Sequence, residues 1–294
     1  MNKVGFIGVG IMGKSMVRNL MKAGFELHIY ARTKSKVEDV IGEGAQFHES
    51  IKDCVQDCDA VITIVGFPQD VEEVYFDEGN ILDSAKEGAY LIDMTTTSPQ
   101  IAEKIYAEGT KRGFHVMDAP VTGGDTGAKA GTLSILVGGE KEDYEACMSL
   151  FEAMGTNINY QGKAGCGQHC KLANQIMIAG TLSGVCEALT YAKEQGLDPE
   201  VFMKSVATGA AGSKQLDTFG PKILKDDYAP GFFMKHFIKD MKLALIEANR
   251  KGLSLDVLSM VLANYEELEQ EGYGDLGTQA LMKFYDEEHR NMEE

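Results

Sequence analysis

Lys171, Asn174 and Gln175 are the residues whose types and spacing most directly allow chemistry. They lie in GCGQHCKLANQ (165–175), at the head of a run with helical spacing. Apolar or small residues recur at Leu172, Ile176, Ala179, Gly180, Ser183, Val185, Ala188 and Ala192, which predicts one long helix over 168–195. Residues three and four apart share a helix face, so one amine and two amides point the same way. An ammonium beside amides holds a carboxylate or carbonyl and hands over a proton. A solvated lysine in a first helical turn has the same local sequence, so the rest of the chain has to decide.

The elements that would position this group begin at the N-terminus. MNKVGFI reads as a short apolar strand, GVGIMG follows at once, and an amphipathic helix leads to a second strand, LHIYA. Strand, glycine turn, helix and strand within about thirty residues form the context of a dinucleotide fingerprint. Gly8 permits the tight turn, Gly10 admits a pyrophosphate, and Gly13 lets the helix pack on the sheet. Ile11 and Met12 complete the turn, and the helix N-terminus presents free N–H groups to phosphate. NAD-preferring sites place an acid at the end of the second strand. Here stand Ala31, Arg32, Thr33, Lys34 and Lys36, with no acid before Glu38. A guanidinium with lysines nearby suits a 2′-phosphate, so the segment favours NADP over NAD.

The alternation continues through strands at 59–65, 88–96, 115–124, 132–139 and 157–162, with helices over 35–43, 69–75, 98–112 and 140–154. Val65, Thr96 and the Pro120–Gly124 turn end parallel strands and are expected on one rim of the sheet. After residue 163 only helical periods remain, over about 168–195, 199–208, 213–225, 234–251, 254–271 and 277–288, and the charged tail DEEHRNMEE is expected to fray. The predicted fold is α/β: a Rossmann-type doubly wound dinucleotide-binding domain over 1–162, then an all-α domain over 163–294 for substrate binding and dimerisation.

Net charge −17 argues against nucleic acid and anionic lipid as partners. No apolar run is expected to approach membrane-spanning length, and residues 3–8 leave no room for a signal peptide. The six cysteines match no zinc pattern, so no metal site is expected; they read as reduced thiols of a cytoplasmic protein. His169 is expected to be structural, and His236 has no identifiable nucleophile partner.

KVGFIGVGIMGKSMVRNL at the start, DAPVTGG (118–124), GAKAGTLSILVGG (127–139), GCGQHCKLANQ (165–175) and KDMKLAL (239–245) occur in one order over nearly the whole chain. Together they resemble the β-hydroxyacid dehydrogenases, which include 3-hydroxyisobutyrate dehydrogenases and the tartronate, glyoxylate and succinic semialdehyde reductases. The resemblance implies hydride transfer between a nicotinamide cofactor and a short 3-hydroxy acid or its semialdehyde, with Lys171 as general acid/base. Thr122, Gly123 and Gly124 would hold the substrate carboxylate, and Asn174, Gln175, Phe232 and Asp240 would line the substrate site. Lys239, Val65 and Thr96 would reach the cofactor. The resemblance also implies a homodimer or homotetramer. Two positions depart from the usual pattern: Thr122 replaces a serine, and Gln175 replaces a second asparagine. Gln175 looks like the tartronate semialdehyde reductases, whereas Tyr30–Thr33 and Phe232 look like the NADP-linked semialdehyde reductases. A non-catalytic NADP-binding sensor is the reading from another class; retention of Lys171 and Asn174 speaks against it.

Overall fold

The computed structural model describes residues 1–286, so most of the charged tail and the end of the expected 277–288 helix lie outside the described residues. The chain forms two compact units, Met1–Lys171 and Leu172–Glu294. The divide is later than the 162/163 junction expected from the sequence, and it falls within a helix. The change of pattern marks where strands stop. The first turns of that helix are nonetheless bonded to the sheet, as described below.

In the first unit β1 (Lys3–Ile7) runs into α1 (Ile11–Lys22) and β2 (Glu26–Tyr30). Then come α2 (Glu38–Gly42), β3 (Gln46–Phe47), α3 (Ile51–Val55), β4 (Ala60–Thr63), α4 (Pro68–Phe76) and α5 (Ile81–Ser84). β5 (Tyr90–Asp93), α6 (Pro99–Lys111), β6 (His115–Asp118), β7 (Val121–Thr122) and α7 (Gly124–Ala130) follow. β8 (Leu133–Gly139), α8 (Lys141–Ala146), α9 (Met148–Met154) and β9 (Gly155–Gly162) complete it. The sheet order is β3-β2-β1-β4-β5-β6-β8-β7, with β9 on β8. Strands β3 to β6 are parallel to one another, and β8 is antiparallel to β6 and β7.

Side chains alternate along the parallel strands, so neighbouring residues enter opposite cores. Phe6, Ile62, Ile92 and Met117 meet Met16, Val17 and Leu20 of α1 on one face. Ile7, Val61, Leu91 and Val116 meet Val55, Val71 and Ile105 on the other. Each such buried aliphatic side chain contributes about 1.5–3 kcal/mol. Helix α1 ends where Phe25 N–H reaches back to Leu20 O around Gly24.

β3, α3, α7 and the single turn α5 were not foreseen. Two strand residues, or four to seven helical ones, are too short to show a period. The strand expected over 115–124 is interrupted at Ala119-Pro120. β6 pairs with Gly138 and Gly139, and β7 with Ser134 and Ile135, on the same edge of β8.

The second unit holds most of α10 (Cys166–Glu194), then α11 (Pro199–Ala207), α12 (Lys214–Ile223), α13 (Met234–Arg250) and α14 (Asp256–Gln270). Its core gathers Leu182 and Leu189 of α10 with Phe237, Met241, Val261 and Tyr265. A 3₁₀ turn, Thr278–Leu281, opens the segment where a sixth helix was expected. By length and composition α10 is apolar enough to cross a membrane, with mean hydropathy 1.2 over 18 residues. Polar residues such as Asn174, Gln175 and Ser183 interrupt the run, which is why the sequence showed no continuous apolar stretch. Of that window 44% is buried, and its buried side chains belong to this core.

Candidate active site

Gly8, Val65, Thr95–Thr97 and the Ala119–Gly124 segment follow the C-terminal ends of β1, β4, β5 and β6, the ligand rim of a parallel sheet. Gly8, the Ile64–Val65 strand end and Thr95 touch in turn. A Cβ on Gly8 would lie 2.0 Å from Ile64 O, and Val65 N–H donates to Thr95 Oγ1 at 3.0 Å. Gly8 has φ +99, which a side chain rarely adopts. Gly13 packs α1 on the turn, since a Cβ there would come within 2.1 Å of Gly8 O.

Gly10 differs: a Cβ there would meet nothing within 4 Å. It is the N-cap of α1 and no side chain caps that end. The first helical bond is Lys14 N–H to Gly10 O, so the N–H groups of Ile11, Met12 and Gly13 are available at the helix end. An open backbone approach, free amides and the positive end of the helix dipole fit a pyrophosphate.

At the end of β2, Ala31 is half-buried and Arg32, Thr33 and Lys36 are exposed. The Arg32 guanidinium is ion-paired with Asp70, whose other oxygen accepts Phe67 N–H at the start of α4. That pairing, first by hydrogen bond and then by charge, raises the arginine's pKa further. The sequence offered no acid before Glu38; the fold brings one from 38 residues away. Lys34 pairs with Glu49 and sits over the Phe47 ring.

In the DAPVTGG segment Thr122 is half-buried, and Gly123 (φ +129) and Gly124 (φ +64) carry the chain into α7. Lys171 is 7% exposed in the second turn of α10. The Asp118 carboxylate caps the start of that helix: Oδ1 accepts Gly165 N–H at 2.7 Å and Oδ2 accepts Gln168 N–H at 2.8 Å. Gln168, which the sequence reading left without a role, is fully buried; its amide takes Thr97 N–H at 3.0 Å and gives to Thr95 O at 2.7 Å. Only its place in GCGQHCK could have pointed to it.

Asp93, beside Asp118 in register, is a second buried carboxylate. Its Oδ1 accepts from Thr63 Oγ1 (2.8 Å) and Thr95 N–H (3.1 Å), while its Oδ2 is buried without a hydrogen-bond partner. Burial raises its pKa to about 6, and the Asp118 charge adds to the rise. Burial also raises the Asp118 pKa. Because the folded value for Asp93 lies above the unfolded one, its contribution is fully present below about pH 4 and is lost as pH rises through about 6. Two units correspond to about 3 kcal/mol. Asp93→Asn is therefore expected to gain stability relative to the parent between pH 4 and pH 7.5, read by urea unfolding. Parallel stability curves would show that Asp93 does not ionise across that window.

In the second unit a hydrogen-bonded chain links the expected substrate residues. Asn174 Nδ2 donates to Gln175 Oε1 (2.8 Å), and Gln175 Nε2 donates to Asp240 Oδ2 (2.6 Å). Asp240 Oδ1 lies 3.0 Å from Lys239 Nζ, a charge contact without hydrogen-bond alignment. Gln175 and Asp240 are buried and joined to each other, beside Asn174 and Lys239. Phe232 packs edge-on against Phe237 and His236. Among the described residues no three His, Cys, Asp or Glu side chains are grouped to hold a metal ion.

Residues 3–162 match the NAD binding domain of 6-phosphogluconate dehydrogenase. Residues 165–285 match the NAD-binding segment of NADP-dependent 3-hydroxyisobutyrate dehydrogenase. The chain belongs to the β-hydroxyacid dehydrogenase family. It is 49% identical to the uncharacterised oxidoreductase YkwC of Bacillus subtilis, over 96% of this chain and 98% of that protein. It is 34% identical to an NAD-dependent L-serine dehydrogenase of Pseudomonas aeruginosa, over 97% and 98%. Among solved structures, Mycobacterium tuberculosis 3-hydroxyisobutyrate dehydrogenase with L-serine superposes with TM-score 0.88 at 26% identity, covering 96% of this chain and 98% of that one. The family's members are nicotinamide-dependent oxidoreductases, and the open turn at Gly10 suits that cofactor.

Proposed function

We propose that this dehydrogenase interconverts a short 3-hydroxy acid and its semialdehyde, prefers NADPH, and uses Lys171 as general acid/base. The observation that carries the reading is a buried lysine on a helix whose capped end is bonded to the sheet rim that also bears the glycine turn. Bound nicotinamide supplies the hydride, or accepts it in oxidation. Gly10 and the N–H groups of Ile11, Met12 and Gly13 hold the pyrophosphate. Thr122, through its hydroxyl, and the backbone of Gly123 and Gly124 hold the substrate carboxylate and fix its distance. The Lys171 ammonium stabilises charge on the carbonyl oxygen and gives it a proton; in oxidation the amine takes that proton back. Arg32, paired with Asp70 and 63% exposed, would receive a 2′-phosphate on its remaining N–H groups, with Lys36 nearby in sequence.

A test supplies NADPH or NADH with methylmalonate, tartronate or succinic semialdehyde or glyoxylate, and NADP or NAD with L-serine or 3-hydroxyisobutyrate. Turnover of a semialdehyde with NADPH is the expected result. A preference for NADH overturns the role of Arg32, and turnover of L-serine alone moves the substrate to an amino acid.

We also propose self-association through the second unit. Met177 and Tyr191 of α10 and Leu253, Val257 and Met260 around α14 are more than half exposed. A second copy of the same apolar face would cover them. Sedimentation velocity at micromolar concentration is expected to show a dimer or tetramer, and a monomer would rule this out.

A further inference from the structure

The helix that carries Lys171 is joined to the sheet by more than apolar packing. Gly165, at the helix start, has no side chain to cap its own helix, and φ +87 turns the chain there. The cap comes instead from Asp118, 47 residues earlier at the end of β6. Two glycines make the approach possible. A Cβ on Gly167 would lie 2.3 Å from Leu136 O and 2.8 Å from Asp118 Oδ2. One on Gly138 would lie 2.5 Å from Asp118 Oδ1. With the helix end fixed by its backbone, Gln168 reaches the other way. Its side-chain amide pairs with Thr97 N–H and Thr95 O as a strand neighbour would, on either side of Thr96. Thr95 in turn accepts Val65 N–H, which continues the chain towards the glycine turn.

We propose that Gln168 is a positioning residue: it locks the Thr95–Thr97 loop to the turn of α10 immediately before Lys171, so that the amine and the cofactor-side rim move as one body. The inference rests on the reading of Lys171 as proton donor. Buried, doubly bonded amides are costly to disturb, since removing Gln168 leaves the Thr97 N–H and Thr95 O buried without partners. Lys171 follows Gln168 by three residues on the same helix, so rotation or lift of this turn displaces the amine directly.

The test compares Gln168→Met, which keeps length and removes both bonds, with Gln168→Glu, which keeps the acceptor for Thr97 N–H and loses the donor to Thr95 O. Turnover of the semialdehyde by Gln168→Met is expected to fall about 100-fold, the scale of an ångström misplacement. KM should stay within about threefold, because no substrate contact is removed. Gln168→Glu should fall between it and the parent. Thr97 N–H, followed by hydrogen exchange without substrate, should exchange faster in Gln168→Met while amides of β1 and β4 keep their protection. Unchanged kcat with an exposed Thr97 amide, or a loss confined to KM, would overturn the proposal. If neither variant folds, the parent protein decides: Thr97 N–H as slow to exchange as Gln168 N–H supports the lock, and fast exchange refutes it. Lys171→Ala separates the two ideas. If it retains turnover the proton-donor reading fails; if it is inactive while Gln168→Met is normal, only the lock fails.

Discussion

Lys171→Ala is expected to lower kcat about 10³–10⁴-fold while leaving the dissociation constant for NADPH unchanged. Proton transfer by a positioned side chain contributes about 10²–10⁴-fold, and charge stabilisation at the same oxygen contributes further. Both are lost together when the amine is removed. Lys171→Arg separates them. A guanidinium keeps the positive charge but does not release a proton near neutral pH, so its kcat is expected to remain at least about 100-fold down. Single-turnover rates at saturating cofactor, with NADPH affinity from its fluorescence, read both effects. Substantial turnover by Lys171→Ala would remove Lys171 from the chemistry. Recovery in Lys171→Arg would reduce its role to charge alone.

Gly8→Ala is expected to carry the largest loss of stability of any single methyl added to this chain's glycine turn, about 2–6 kcal/mol. Two costs coincide at that position. A positive φ of 99° costs a side chain about 1–3 kcal/mol, and the new Cβ would sit 2.0 Å from Ile64 O. That oxygen is backbone, so strands β1 and β4 must part, and overpacking of this kind costs about 1–3 kcal/mol more. Gly10→Ala is the control. At φ −86 with open space around it, the methyl strains nothing, and stability should be unchanged or up to about 1 kcal/mol higher. The methyl would stand where the pyrophosphate approaches, so NADPH affinity is expected to fall at least about tenfold, roughly 1.4 kcal/mol. Urea unfolding and cofactor titration of both variants measure the contrast. A Gly10→Ala protein that binds NADPH normally would show that this turn is not the phosphate cradle.

Much of the architecture was legible in the sequence because it rests on local, periodic signals. Buried parallel strands read as apolar runs, amphipathic helices as a 3.6-residue period, and the turn after β1 as three glycines with separate steric duties. The change from alternating elements to helices alone was visible too, because it needs no knowledge of which surfaces meet. The long helix that carries Lys171 near its start and the glycine turn at Thr122–Gly124 were legible as local pattern.

Partnerships over long sequence separations were decided by tertiary structure. Asp70 reaches Arg32 only because β2 and the start of α4 end on the same rim. Asp118 caps a helix 47 residues downstream, and Gln168 bonds a loop 71 residues upstream. Gln175 and Asp240, 65 residues apart in sequence, meet in a buried hydrogen bond beside Asn174 and Lys239. The first compact unit runs on to Lys171 for the same reason: backbone contacts at Gly167 and Gly138 tie the first turns of α10 to the sheet. Residue type and period specify which groups can do chemistry. Which of them are exposed to a ligand and which hold the others depends on desolvation and hydrogen-bond pairing, which arise only when distant segments pack.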